Sequence, residues 1–431
     1  VATIPRTAAP PVASRDLARP GQTYDGGVLL LASVLMTFGV AMVYSASMTV
    51  RGAELDWHQW WNTPLRQCVF AFAGFLVMLL TAHCNYRWLA WVRGRDVWRV
   101  GALYVLAVVT LIAVQIIGRE TLGAQRALIV LTSPFVLSFQ PAELAKVIMV
   151  IWLAALLGRM QDRAGGGQRR GGAETTGAGI RNFTRGFVPA VLSCGLLIGL
   201  TGLEDFGTAA LMGVVMVMML LIAGARWRHL LLLALIGLAG GAGLIAMKPY
   251  RLERLKTYLC FFDESRPAPD PQKEGYQIDQ SMLAIGSGGW FGRGLGAGIQ
   301  KYGYLPQKDN DFILAMICEE LGVAGGIVVV LLFLFLLWRG WDVTRAAPDS
   351  FGMLLAAGLT LLIGLQAAFN VGVVTNSVPT KGISLPFVSA GGSGVVFLGW
   401  AAGLLAGVGR CMQARGGKHV ADADSPPKRV E

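Results

Sequence analysis

Runs of about twenty apolar residues recur along this chain between short polar breaks, and nothing else in it constrains folding as tightly. A helix that crosses a bilayer needs ~20 mostly apolar residues. Such runs fall at 27–48, 67–83, 100–118, 143–158, 228–247, 312–338, 351–373 and 391–409. Residues 187–224 hold two shorter ones, 187–203 and 206–224, hinged at Glu204-Asp205. The expectation is an all-α integral membrane protein of ten transmembrane helices, with little length left for a soluble domain. Composition agrees: charged residues are 15% of 431 positions, where soluble domains average ~25%. Residues 1–25 are polar, with no apolar h-region, so the first run is expected to stay as an anchor.

The net charge of +11 would suit nucleic-acid binding in a soluble chain, but in a membrane chain its placement decides its meaning. With the N-terminus inside, 22 of the 37 basic residues fall in inner segments and five in short outer ones. Both termini are therefore expected in the cytoplasm: a tail at 1–25, a ten-span domain at 26–410, and a second tail at 411–431. The loop 159–186 is Gly- and Arg-rich and suits a flexible basic linker near anionic headgroups. The outer loop 248–310 is too long for a connector. It holds Lys248, Arg251, Arg254 and Lys256, a Pro-rich turn at 267–271, a short helix expected over 280–285 and a Gly-rich stretch at 286–298. Long structured loops carry function.

Several chemistries drop out. Six Cys and four His are scattered without ligand or framework spacing, which excludes a disulfide scaffold and a Cys-based zinc site. Gly292-Arg293-Gly294-Leu295-Gly296-Ala297 imitates a dinucleotide fingerprint but lacks the strand–turn–helix setting that gives it meaning. No Gly-Lys-Ser/Thr phosphate loop occurs, so this chain does not drive transport with ATP by itself.

The candidate residues are carboxylates near span ends. Asp311 opens the eighth span. It is either a helix N-cap or a carboxylate at the membrane boundary whose partial desolvation suits a general base. Asp205, between the fifth and sixth runs, carries the same two readings and is expected on the same side. Glu143 and Lys146 form an i,i+3 pair at the start of the fourth span. A lysine within a span demands a partner, so the pair is structural or touches substrate. Glu319 and Glu320 lie two turns into the eighth span, and one of them is expected to brace helix packing. Pro379 to Gly394 forms an irregular connection in which Lys381 offers a point charge to a phosphate.

These segments resemble the SEDS family (shape, elongation, division and sporulation) over roughly 27–410. The strings occur in family order: Tyr44–Ser47, Gly123–Arg126 leading into Gln140–Lys146, and Asp205–Ala209. Tyr276-Gln277, Ser281, Ala284–Gly289, Gly294–Gly296, Gln300-Lys301 and Tyr304–Pro306 follow. Asp311–Ile313, Glu319–Gly322 and Pro379–Gly394 complete the series. Departures fall at Leu203-Glu204, Ala127, Asp309-Asn310 and Ala390. The resemblance implies an inverting glycosyltransferase that polymerises lipid II, an undecaprenyl-diphosphate-linked disaccharide peptide, beside a class B penicillin-binding transpeptidase and other division proteins.

It places the family's essential aspartate on Asp311, its Glu/Lys pair on Glu143 and Lys146, and its span-six aspartate on Asp205. Lys381, Arg126 and Arg251 become candidates for the leaving diphosphate, with Gln300, Lys301 and Ser389 as supporting residues. Thr380-Lys381-Gly382 favours the FtsW (division) branch over RodA, hence the septal inner membrane. No cofactor is implied with certainty, and a divalent cation (Mg or Mn) could assist the diphosphate. Three other readings stay open: a lipid flippase, a division scaffold without chemistry, and an elongation polymerase.

Overall fold

The computed structural model describes residues 25–47, 50–51, 54–55, 64–90, 97–121, 124–131, 137–164, 186–247, 252, 254, 256, 258–259, 274–379 and 382–423. Arg251, Lys381, the Pro-rich turn at 267–271 and most of the basic loop 159–186 lie outside the described residues, as do 1–24 and 424–431. The side chain of Arg126 lies outside them too.

The apolar runs become helices because a bilayer leaves backbone amides and carbonyls no other partners. In chain order they are α1 Gly26–Ser47, α2 Arg66–His83, α3 Val97–Ile117, α4 Pro141–Ala164, α5 Val188–Glu204, α6 Phe206–Ile222 and α7 Trp227–Ala246. A loop helix α8, Glu274–Gly288, precedes α9 Ile313–Ala346, α10 Ser350–Val374 and α11 Ser393–Ala423. Among the described residues, eight helices are long and apolar enough to cross a membrane, and α5 and α6 are shorter apolar helices. Two small antiparallel patches interrupt the helical pattern. One pairs Val50–Arg51 (β1) with Glu54–Leu55 (β2). The other joins Arg119–Thr121 (β3), Ala124–Leu131 (β4) and Leu137–Phe139 (β5). This second patch leads directly into α4.

The core gathers around α4, which packs against α3, α5, α6, α10 and α11. Its apolar stretch is 89% buried, whereas none of α7's is, which puts α4 at the centre and α7 at the rim. Small residues let backbones approach where helices meet. A Cβ on Gly39 of α1 would stand 2.6 Å from the Val388 Cα, so α1 lies directly against the loop between α10 and α11. One end of the bundle is marked by Asp25, which caps α1 through the amides of Gly27 and Val28 and pairs with Arg339 of α9 at 2.8 Å.

α9 is broken at Gly322 (φ 76°, ψ 175°), a conformation open only to glycine. The break frees backbone groups on both sides, and the segment after α8 takes them up. Arg293 and Gly294 amides donate to the Glu319 and Glu320 carbonyls at 3.0 and 2.9 Å. Val323 and Ala324 amides donate to Gly289 and Trp290 at 2.9 and 3.2 Å. The side chains repeat the join. Glu319 accepts from the Ile299 amide at 2.7 Å, and Glu320 pairs with Lys301 at 3.3 Å and accepts from the Ser45 hydroxyl. Both acids are fully buried and hold the loop onto the helix, the bracing role expected of one of them.

Candidate active site

At the end of the bundle away from Asp25, a cavity of about 360 Å³ opens between the start of α4, the α5–α6 break, the turn before α9 and the α10–α11 connection. That volume lies within the usual range of small-ligand sites, ~300–1,000 Å³. Asp311, Asp205, Glu143 and Lys146 all line it, joined by Arg66, Asp309 and Asn310 and by residues 382–384 and 390–392. Four sequence-separated candidates thus meet in one place.

Each is positioned by local chemistry. Asp205 is the N-cap of α6: it accepts from the Gly207 and Thr208 amides at 2.9 and 3.3 Å and from the Thr208 hydroxyl at 2.7 Å. Its capping reading therefore holds, and it faces the cavity as well. Asp311 is different. The cap position of α9 is Phe312, so Asp311 belongs to the preceding turn, and its reading as the N-cap does not hold. That turn is wound on Gln307, in the left-handed region at φ 53°, whose carbonyl accepts from Asn310 and Phe312 at 3.1 and 3.3 Å.

Glu143 and Lys146 pair at 2.8 Å, both almost fully buried. Lys146 also donates to the Gln366 side-chain oxygen at 2.8 Å. Among the described residues Glu143 Oε2 has no hydrogen-bond partner, so an acceptor remains for whatever enters. Gln366 donates in turn to the Ser384 carbonyl at 3.0 Å. One turn along α10, the Asn370 amide donates to the carbonyls of Asp311 and Ile383, both at 2.8 Å. A polar ladder on α10 therefore fixes the lysine and both loops that frame the cavity. Ser389 completes the frame from the other side: it donates to the Asn310 carbonyl at 2.6 Å and accepts from the Leu385 amide at 2.8 Å.

The remaining sequence candidates lie elsewhere. Lys301 is buried, held by Glu320 and the Gly296 carbonyl, and the Gln300 amide rests on Glu319. Both belong to the α9 splice and not to the cavity wall. Beside them, burial lowers the Lys308 pKa below its ordinary 10.5. Asp309 works against the shift and Lys301 adds to it. Sequence reasoning missed Arg66, Gln366 and Asn370. Arg66 entered only as a charge in a short segment, though a basic residue beside Pro64 at the head of a span was a usable signal. A Gln and an Asn four apart inside an apolar run was another.

A polytopic membrane protein with a charged cavity at one membrane boundary is what this fold and site define. The family model for FtsW, RodA and SpoVE, described as "Cell cycle protein", matches residues 27–413, and the chain belongs to that family. A probable peptidoglycan glycosyltransferase FtsW from Geobacter sp. (strain M18) is 37% identical over 391 residues, 90% of this chain and 98% of that protein. Stage V sporulation protein E of Bacillus subtilis is 36% identical, over 89% and 96% of the two chains. A solved chain from a peptidoglycan synthase complex that coordinates polymerization and crosslinking superposes with a TM-score of 0.66 at 27% identity, covering 90% and 98%. The rod shape determining protein RodA of Thermus thermophilus shares the fold, with a TM-score of 0.60 at 24% identity.

Proposed function

We propose that this chain is a peptidoglycan glycosyltransferase that polymerises lipid II at the outer face of the bacterial cytoplasmic membrane. It would cross that membrane ten times within 26–410, with both terminal tails inside, and work in septal wall synthesis beside a class B transpeptidase. The observation that carries the reading is the convergence of Asp311 with Arg66, Lys146 and Glu143 on one boundary cavity. The names of the most similar relatives support it.

The chemistry suits these residues. Asp311 takes the proton from the 4-hydroxyl of the incoming GlcNAc as that oxygen bonds to the anomeric carbon of the strand's terminal MurNAc. The bond from that carbon to the diphosphate oxygen breaks, and undecaprenyl diphosphate leaves with inversion. A sugar hydroxyl is a poor nucleophile, and a positioned base contributes ~10²–10⁴-fold. Charge develops on the leaving diphosphate, so cations are needed at the opposite end. Arg66 lines the cavity, and Lys381, Arg126 and Arg251 are the sequence's further candidates for the same task. Among the described residues no cluster of three or more His, Cys, Asp or Glu is arranged to hold a metal ion. A boundary site also suits a lipid-linked substrate, because the polyprenyl tail stays in the bilayer while its head enters the cavity.

The test is polymerisation of fluorescent lipid II by the purified protein, with and without its transpeptidase, alongside lipid II translocation in liposomes. Polymer supports the proposal. Translocation without polymer would instead assign the Glu143–Lys146 pair to a lipid flippase, and neither product would leave a division scaffold.

A further inference from the structure

We propose that the segment 288–298 is a lipid-interface anchor, whose Trp290, Phe291 and Leu295 seat in the headgroup–acyl boundary on the cavity side of the membrane. Trp290 is 69% exposed, Phe291 90% and Leu295 66%. A cluster so apolar, on a backbone so firmly tied, is not a mobile tip. Its carbonyls and amides are joined to α9 on both sides of the Gly322 break.

Two internal rulers place it at the boundary. Along α1, Ser45 lies about 30 Å from Asp25 at ~1.5 Å per residue. Along α9, the regular stretch from Val323 to Arg339 spans about 24 Å on the same rise, and Glu320 lies just beyond the break. Asp25 pairs with Arg339, and Ser45 with Glu320, so two polar layers are tied across the same two helices. Their separation matches a hydrocarbon core of ~30 Å. The Ser45–Glu320 layer therefore marks the second boundary, and the 288–298 segment is spliced to α9 at that level.

The surface around it is continuous with lipid-facing helix. About a turn below the splice, α9 exposes Ile327, Leu331, Leu334, Phe335 and Trp338 on one side. The far end of this stripe carries its own aromatic pair, Trp338 and Trp341, with the Arg345 guanidinium 5.2 Å from the Trp341 ring. Aromatic residues gather at both interfaces of membrane proteins because their rings are apolar and their edges polar. On the cavity side the corresponding pair is Trp290 and Phe291. Arg293, exposed between Phe291 and Leu295, supplies a cation for lipid phosphates, the mixture expected of a surface-seated segment. An anchor there would hold the splice, and through Lys301 and Lys308 the turn carrying Asp311, at headgroup height. Nothing in this assignment depends on the reaction proposed above.

The test uses the full chain labelled with 5-fluorotryptophan in nanodiscs of phosphatidylethanolamine and phosphatidylglycerol. The conservative Trp290→Phe and Trp338→Phe variants identify two fluorine signals by their loss. A spin label at carbon 5 of the lipid chain is expected to broaden the Trp290 signal at least threefold more than a water-soluble gadolinium chelate does, as it should for Trp338. Stronger broadening by the chelate would make the segment a solvent-facing surface and overturn the proposal. Broadening by neither reagent would mean that protein covers it, from a second copy or from another segment of this chain, and would overturn it equally.

Discussion

Asn370 is the residue on which the Asp311 turn most visibly depends. Its amide nitrogen serves two carbonyls, the partly buried one of Asp311 and the buried one of Ile383, at 2.8 Å each, while its own oxygen has no partner among the described residues. Asn370→Ala removes the donor from both. Leaving a buried polar group unsatisfied costs about 1–3 kcal/mol. The Asp311 carbonyl stands beside a cavity that can admit water, so the expected loss of stability is nearer 2 than 6 kcal/mol. The kinetic effect is of similar size in free energy, because freeing the turn by about an ångström costs up to ~10²-fold in rate. In a lipid II polymerisation assay kcat is expected to fall about 10–100-fold, with KM little changed, since no substrate contact is removed. Asn370→Asp separates donor from packing: it keeps the shape, presents oxygen to oxygen, and should lose as much. Wild-type kcat in either variant, with the protein folded, would refute the positioning argument.

Three further outcomes follow from the packing. Gly39→Ala pushes a methyl to 2.6 Å from the Val388 Cα and should cost about 1–3 kcal/mol by overpacking. An unchanged melting temperature in detergent would contradict that close approach. Lys146→Met strands Glu143 and should cost about 3–5 kcal/mol, most of it recovered when Glu143→Gln is added, because an orphaned buried charge is worse than no pair. Equal melting temperatures for the single and double variants would count against it. Lys308 has a pKa lowered by burial from 10.5, so between its folded value and 10.5 the unfolded chain binds more protons and stability rises with pH. Lys308→Met should flatten that alkaline rise in a melting-temperature series, and an unaltered slope would assign it to other groups.

Much of this architecture is legible in the sequence. Apolar runs placed α1, α2, α6 and α7 to within a residue or two, because helix length in a bilayer is fixed by thickness. The C-terminal ends of α9 and α11 run past their apolar stretches to Ala346 and Ala423, since a helix leaving the membrane no longer needs apolar residues. The β3–β5 patch was unforeseen: Ala124–Leu131 carries no regular alternation over its length, and its pairing depends on neighbours. Within the site, carboxylates near span ends announced themselves by their expense. What pattern could not give was the partner of each. Lys301 and Glu320 are nineteen positions apart, and only the broken α9 brings them together. Asn370 and Gln366 were hidden because neutral amides barely disturb a hydropathy profile, yet they hold the carbonyls and the lysine that frame the cavity.

The central claim is that Asp311 accepts the proton in glycan polymerisation, and the most direct test compares wild type with Asp311→Asn as purified, folded proteins bound to the same transpeptidase and given fluorescent lipid II. Loss of polymer by at least ~10²-fold, with lipid II binding retained, is the predicted result. Polymer at the wild-type rate from Asp311→Asn would contradict it and move the base elsewhere in the cavity.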